Sequence, residues 1–401
     1  MSTSVEVSVS PQVLQWISNI GNTTALDDIH LAKLDIAQHP NPKFTFDDIV
    51  ALSKKLQIPY AYFFFDSPVD DTPELFAHRT IKNKDVSQKP SRNLVDLVYE
   101  MQTLQDWARQ DQIDQGNDKL AFVGSENSSA SASRIDASIR EILNIDTQWY
   151  STPAVSTPNA AFKYLRDRIQ HTGVIVMVSG IVGSNTRRKL DPNEFRAFSL
   201  IDDYAPLIFI NRNDGPETAR LFSLVHEFAH ILLGKSELYN ASNSDFAHNS
   251  LEALCNNVAS EILMPDKEFD NIWNEQALQI TNNARLKDME KPDLDSIIRS
   301  LQKVFPLSYS AIALRALSHK KITQSQFDEI QKEANEQLAN FDDKHHHASG
   351  GDYYRTFHSR FDSRLFSHIV ASVQEGRTSY VDAYRLTHTT DKTFSNLVEG
   401  L

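Results

Sequence analysis

The sequence predicts an α+β fold that is mostly helical, in which a core with a small β-sheet is flanked by helical N-terminal and C-terminal domains. Apolar residues recur at helical spacing over most of the 401 residues. Three short apolar segments, at 174–178, 195–201 and 206–210, are typical of strands. A helix at 221–234 that is apolar nearly all round follows them, and such a helix is normally buried. We therefore expect a helical domain at 1–66, a connector with a helical segment at 67–150, the core at 151–291, a helix-turn-helix-like region at 292–338 and a helical tail at 339–401.

The composition is that of a globular protein without a membrane span. Hydrophobic residues make up 40% of the chain, and no apolar run reaches the roughly 18 residues that a spanning helix needs. The start, MSTSVEVSVSPQ, lacks the basic and apolar regions of a signal peptide. Cys255 is the single cysteine, which excludes an intrachain disulfide and fits a reducing compartment. We therefore expect a cytoplasmic protein, and the net charge of −13 argues against broad, non-specific binding of nucleic acid.

The first domain is predicted to contain three short helices. Apolar spacing indicates helices at 13–20 and 24–36 and a third that begins at Thr45 or Phe46 and ends before Pro59. Short helices joined by tight turns suggest a relative of the helix-turn-helix. DNA contact stays open, because acidic side chains accompany the lysines and leave no basic face, so packing or docking of a protein is the preferred interpretation. These charged residues are Asp27, Asp28, Asp35, Asp47, Asp48, Lys33, Lys43, Lys54 and Lys55.

A polar, proline-containing connector and three further helices precede the strands. The connector runs from 66 to 90, and the helices are predicted at 91–110, 135–143 and 160–170. After these helices the helical spacing of apolar residues gives way to the continuous apolar segments of the three buried strands, which lead directly into the apolar helix.

The apolar helix carries the motif HExxH at His226, Glu227 and His230, within LFSLVHEFAHILLG. Residues four apart lie on one face of a helix, so both imidazoles point the same way and can bind one zinc ion. Glu227 lies about 100° further round the helix axis, beside the metal, where a carboxylate can take a proton from a water molecule. The alternative is that the motif occurs by chance. However, burying two histidines and a glutamate in an apolar helix costs free energy unless a bound metal satisfies them. Strands followed by this helix match a zincin-like metallopeptidase core, in which an edge strand holds an extended peptide, and we expect the backbone of 195–201 or of 206–210 to hold a substrate strand.

A second helix is predicted after a polar loop, within LEALCNNVASEILMP at 251–265. Glu252 lies in its first turn, and a carboxylate from a neighbouring helix is the usual third ligand of a His-His-Glu zinc site, with the fourth position left for water. Cys255 and Asn256 lie one turn further along the same face. Spacing alone does not choose between Glu252 and other residues of the loop and helix. The competing residues are Glu237, Asp245, Glu261 and His248.

The region at 292–338 is the second helix-turn-helix-like pattern, with one predicted helix before Pro306-Leu307-Ser308 and one after it. It is more basic than the first domain, and a solvated charged face is the preferred interpretation. The joint at 339–351 contains His345-His346-His347, which we interpret as part of a polar linker rather than a metal site. The tail at 352–401 has helical apolar spacing and is expected to pack. The basic residues of the region are Arg299, Lys303, Arg315, Lys320 and Lys321.

Three stretches together resemble the ImmA/IrrE family of metallopeptidases: EFRAFSLIDDYAPLIFIN at 194–211, LFSLVHEFAHILLG at 221–234 and LEALCNNVASEILMP at 251–265. PQVLQW, TFDDIVALSKKLQIPYAYFFF, the HRT at 78–80 and EGRTSYVDAYRL resemble the long form of the family, which has an N-terminal XRE-like domain. The resemblance implies a substrate that is a DNA-binding transcriptional repressor, whose cleavage switches on prophage, mobile-element or stress-response genes. It also implies zinc ligands at His226, His230 and Glu252 and a catalytic glutamate at Glu227.

We therefore expect a zinc-dependent endopeptidase with one zinc ion and with Glu227 as the group that moves the proton. Imidazole and carboxylate ligands also accept manganese or iron. The alternative is a non-proteolytic regulator, in which zinc is structural and the domain docks a transcription factor or a toxin. A thiolate ligand from Cys255 would close the metal site in that case. A repressor that binds DNA through 292–332 is a third hypothesis. Candidates for contact with the oxyanion or the substrate are Tyr204, Tyr239 and His248.

Overall fold

A computed structural model describes most of the chain. The described residues are 6–21, 23, 26–34, 43–73, 75, 90–155, 157–235, 238–239, 250–281, 290–342 and 352–400. Their helices and strands confirm the predicted α+β, mostly helical class. By its internal contacts the chain divides into two compact units, Met1–Glu100 and Met101–Leu401. No helix within the described ranges is both long enough and apolar enough to cross a membrane.

The first unit combines short helices with a two-stranded antiparallel sheet, in which Val7 lies opposite Phe44. This sheet was not predicted from the sequence, because strands of three residues show too little alternation of apolar and polar side chains. The helix after the second strand begins as predicted, since the Thr45 hydroxyl accepts from Asp48 N (3.1 Å) and the Asp48 carboxylate accepts from Thr45 N (3.2 Å). Residues 35–36 of the predicted second helix lie outside the described ranges. The elements are β1 (Glu6–Ser8), α1 (Pro11–Ile20), α2 (Asp28–Leu34), β2 (Lys43–Thr45), α3 (Phe46–Leu56), a 3-10 helix (Tyr60–Phe64) and the start of α4 (Arg92–Asp114).

Lysines of the first unit pair with carboxylates. Lys33 Nζ lies 2.6 Å from Asp48 Oδ1, and Lys55 Nζ lies 2.8 Å from Asp27 Oδ2. Each pair cancels positive charge that a DNA-binding face would need.

The second unit contains the sheet and the helices that surround it. The predicted helices and strands of this part are found within a few residues of their expected bounds, whereas β6, α9 and α12 were not predicted, and α12 extends over the first residues of the expected joint at 339–351. The elements are α5 (Ala132–Leu143), a 3-10 helix (Trp149–Ser151), α6 (Pro158–His171), β3 (Ile175–Ser179), β4 (Ala197–Leu200), β5 (Leu207–Asn211), α7 (Glu217–Leu233), β6 (Leu238–Tyr239), α8 (Ser250–Leu263), α9 (Asp266–Thr281), α10 (Lys291–Gln302), α11 (Tyr309–Ser318), α12 (Gln324–Asp342), α13 (Tyr353–Arg360), α14 (Ser363–Gln374), α15 (Tyr380–Thr387) and α16 (Asp391–Glu399).

The sheet of the second unit has the strand order β3-β5-β4-β6. β3 and β5 are parallel, whereas β4 runs antiparallel to both β5 and β6. Because β5 is paired on both sides, the backbone at 206–210 cannot take an added strand, and our expectation that it holds substrate is wrong. The other expected segment, 195–201, contains β4, whose outer side pairs with β6 at Ala197 and Phe198.

The opposite edge of the sheet is closed by the C-terminal helices. Asp362 Oδ2 accepts from Val176 N (2.9 Å) in β3, and Arg166 Nη2 donates to the carbonyls of Val176 (3.1 Å) and Phe361 (3.0 Å). Both side chains are buried, and Asp362 also caps α14 by accepting from Arg364 N and Leu365 N (3.0 Å each). The backbone N–H and carbonyl of Val176, which point away from β5, therefore have hydrogen-bond partners without another strand.

The helix α7 lies at the centre of the core, against α6, α8, β4 and β5. It ends at Gly234, whose φ of 63° suits glycine and where a Cβ would lie 3.1 Å from the Cα of Gly124. The loop before α5 satisfies the last carbonyls of the helix: Gly124 N donates to Ile231 O (3.0 Å) and Glu126 N to Leu232 O (2.9 Å). These contacts fix the position of the last turn of α7.

The helices of the helix-turn-helix-like region share this core, since Ile297 of α10 and Ile312 of α11 belong to the same apolar cluster as α7. The guanidinium of Arg315 lies 2.8 Å from Glu261 Oε2, and Lys321 Nζ lies 3.0 Å from Asp270 Oδ1. These cations contact α8 and α9 instead of standing free for DNA. His345-His346-His347 lie outside the described residues.

Candidate metal centre

His226 and His230 project from successive turns of α7 toward one point. Their Nε2 atoms are 3.1 Å apart, and both side chains are buried, with at most 1% of their surface exposed. Glu227, on the same turn, is also fully buried. Three polar side chains at the centre of an apolar core are costly unless they are satisfied there.

The third member of the cluster is Glu252, in the first turn of α8. Its Oε2 atom lies 3.2 Å from His226 Nε2, and its Oε1 atom lies 3.1 Å from His230 Nε2. Of the His, Cys, Asp and Glu side chains in the described residues, His226, His230 and Glu252 form the group whose potential ligand atoms converge. The structure thus brings together the three residues that the sequence analysis proposed as ligands.

The spacing of the three ligand atoms fits a small metal ion. Zinc binds imidazole nitrogen and carboxylate oxygen at about 2.0–2.1 Å, so tetrahedral geometry places neighbouring ligand atoms roughly 3.4 Å apart. The observed separations of 3.1–3.2 Å are close to that value. Three ligands of this kind leave one position for water or substrate.

The position of Glu252 depends on how α8 is anchored. The buried ring of Trp149 donates from Nε1 to Ile262 O (2.9 Å), and Arg140 Nη2 donates to Glu261 O (3.1 Å). The side chain of Glu261, a competing carboxylate, instead pairs with Arg315 at 2.8 Å. The other competitors, Glu237, Asp245 and His248, lie outside the described residues.

The two histidines have opposite pKa shifts. Burial lowers the pKa of His226, although contact with Glu252 works against this. Burial also opposes the charged form of His230, but Cys255, Glu252 and Glu227 together raise its pKa well above the usual value. Burial raises the pKa of Glu252, but contact with the histidines outweighs it and holds that pKa far below the usual value. A bound metal ion would compete with protons for the ligand atoms of these side chains.

Cys255 is not one of the converging ligands. It is fully buried on α8, beside His230, and burial raises the pKa of its thiol. A neutral thiol is a poor metal ligand, because the thiolate is the form that binds.

The predicted contacts to oxyanion or substrate have different outcomes. Tyr204 lines a cavity of about 380 Å³ whose walls include Trp107, Gln170 and His368 but none of the three converging residues. Tyr239 belongs to β6 by its backbone, but its side chain is outside the described part of the structure, as is His248. Their roles stay predictions.

Two family models match the chain. Residues 361–400 match a domain of unknown function (DUF8813), and residues 170–317 match the peptidase M78 model, described as the IrrE N-terminal-like domain. No curated protein matches. The N-terminal helices lie outside both matches, so the XRE-like assignment stays a prediction. The match at 170–317 includes every residue of the converging cluster, and it confirms the predicted resemblance of this part of the chain to the ImmA/IrrE metallopeptidases.

Proposed function

We propose that the chain is a zinc-dependent endopeptidase that cuts a DNA-binding transcriptional repressor and thereby switches on the genes that the repressor silences. The observation that carries the proposal is the convergence of His226, His230 and Glu252, with the buried carboxylate of Glu227 on the same turn of α7. The choice of a repressor as substrate comes from the family resemblance.

Each residue of the cluster has a defined task in this proposal. His226 and His230 hold the metal through Nε2, and Glu252 holds it from α8. Bound zinc would supply a Lewis acid for the peptide carbonyl and make a water molecule more acidic. Glu227 takes the proton of the attacking water and passes it to the nitrogen of the leaving amine. Burial of Glu227 keeps bulk water away from the carboxylate during this transfer.

The substrate segment is proposed to lie as an extended chain along β4. Of the two sides of the described sheet, the β3 side is closed at Val176 by Asp362 and Arg166. On the β4 side, β6 pairs with Ala197 and Phe198, so the pairing proposed for the substrate is with the rest of β4, at Ser199 and Leu200. Main-chain pairing on that side would hold the peptide without requiring a particular sequence.

The test compares newly formed protein N-termini in cells that express wild type or Glu227→Gln. Glutamine keeps the size of the side chain but cannot accept the proton, so we expect cleavage to fall about 100-fold or more while one zinc per chain is retained. Glu217→Gln is the matched control, because it makes the same change at the start of α7, where the side chain is 41% exposed.

The expected result is an N-terminus within a DNA-binding protein that appears with wild type and with Glu217→Gln but not with Glu227→Gln. Equal cleavage by Glu227→Gln would contradict the assigned role of this residue. If no new N-terminus depends on the wild-type protein, at rest or under stress, the non-proteolytic regulator becomes the better explanation.

A further inference from the structure

The helix α8 presents more than one polar group to the two histidines of α7. Glu252, Cys255 and Asn256 are spaced three and four residues apart, so they share one face of the helix. That face packs against α7. Cys255 contacts His230, and Asn256 contacts His226. Each histidine therefore has its own polar neighbour on α8 in addition to Glu252.

The geometry of the cluster leaves one nitrogen of each imidazole for such a neighbour. The Nε2 atoms of His226 and His230 face each other and Glu252, so the Nδ1 atoms point away from the converging point. Both Nδ1 atoms are buried. A histidine that binds a metal usually donates its second N–H to an oxygen nearby, which fixes the tautomer and the orientation of the ring.

Asn256 supplies an oxygen suited to this task. Its Oδ1 atom is buried and accepts no hydrogen bond within the described ranges, and Nδ1 of the neighbouring His226 is likewise buried. The amide nitrogen of asparagine can only donate, so Oδ1 is the atom that can accept from an imidazole N–H. The thiol of Cys255 beside His230 is a much weaker acceptor.

We propose that Asn256 is a positioning residue of the metal centre, which accepts from Nδ1–H of His226 and so holds Nε2 ready for the metal. The inference rests on the proposed function, because it assigns His226 as a ligand. One helix, α8, then contributes both a direct ligand, Glu252, and the residue that orients another ligand, one turn further along. This arrangement couples the position of α8 to the metal affinity of α7.

The test measures zinc affinity by competition with a chelator in Asn256→Leu and in the matched control Asn257→Leu. Asn257 is the adjacent residue of the same type, and it is exposed. We expect the dissociation constant for zinc to rise roughly 10- to 100-fold in Asn256→Leu and to stay unchanged in Asn257→Leu. Asn256→Asp keeps an acceptor oxygen and should bind zinc at least as tightly as wild type. The absorption spectrum of bound cobalt should change in Asn256→Leu alone.

His226→Ala separates failure of this inference from failure of the proposed function. Zinc affinity within twofold of wild type in Asn256→Leu, together with loss of zinc in His226→Ala, would overturn the positioning role alone. Unchanged zinc binding in His226→Ala would overturn the metal centre itself. Failure of Asn256→Asp to restore affinity would show that packing, not the acceptor oxygen, is what leucine disturbs, which also overturns the positioning role. Melting curves of the metal-free variants confirm that each is folded.

Discussion

Replacing Asp362 by alanine should open the edge of the sheet that the C-terminal helices close. The change removes the cap of α14, which accepts from Arg364 N and Leu365 N, at a cost of about 1 kcal/mol. It also leaves the buried N–H of Val176 without its acceptor at 2.9 Å, at a further cost of about 1–3 kcal/mol. The free energy for local opening of β3 and α14 should therefore fall by about 2–4 kcal/mol.

Hydrogen exchange measured by peptide is the suitable assay, because a chain of two units has no single free energy of unfolding. A loss of this size corresponds to exchange about 30- to 1,000-fold faster in peptides that cover 175–179 and 363–374. Asp352→Ala is the control, since Asp352 caps α13 by accepting from Tyr354 N and lies on the surface. Equal exchange in the two variants at 175–179 would refute the idea that the Asp362 carboxylate closes the sheet edge.

Three further predictions concern the metal, the anchor of α8 and acid stability. Free zinc at 100 times the dissociation constant should stabilise the wild-type protein by about 2.7 kcal/mol. A chelator should therefore lower the melting temperature of wild type but not that of His230→Ala. Trp149→Phe removes the donor to the buried Ile262 O and should lower the free energy for local opening of α8 by about 1–3 kcal/mol, measured by hydrogen exchange in peptides that cover 250–263. Contact with Lys33 lowers the pKa of Asp48 in the folded protein. The ionised Asp48 carboxylate therefore stabilises the fold above its unfolded pKa, and this stabilisation is lost as the pH falls through the lower folded pKa. Asp48→Asn should consequently show a smaller fall in melting temperature than wild type between pH 7 and pH 3.

The elements that the sequence predicted well are those with a strong local pattern. The helix around His226 has an apolar surface nearly all round, and the strands before it are continuous apolar runs between turns, so both were found close to their expected bounds. Spacing alone does not identify the third ligand, and only the family resemblance pointed to Glu252, because this residue belongs to another helix whose position depends on the loop between them. The anchors that set that position, such as Trp149 Nε1 on Ile262 O, join residues more than 100 apart and have no local signature.

Contacts made by backbone groups also could not be predicted from the sequence. The loop that satisfies the end of α7 does so through Gly124 N and Glu126 N, and almost any residue type could donate in this way. The short strands β1, β2 and β6 likewise depend on partners elsewhere in the chain. The order of the strands, which made β5 an inner strand, also follows from long-range packing, and it corrected our expectation for 206–210.

Under the proposed function, the depth of the converging cluster restricts which conformations of a target can be cut. His226, Glu227 and His230 are at most 1% exposed, so a target that stays folded at its cleavage site would not bring its backbone to them. A target must therefore unfold locally at its cleavage site, and its cleavage rate includes the equilibrium constant of that opening, a factor of ten for every 1.4 kcal/mol or so. Under the proposed function, a loose linker in a repressor would be cut while a packed DNA-binding domain beside it survives. Any event that loosens the linker would then control proteolysis without acting on the peptidase at all.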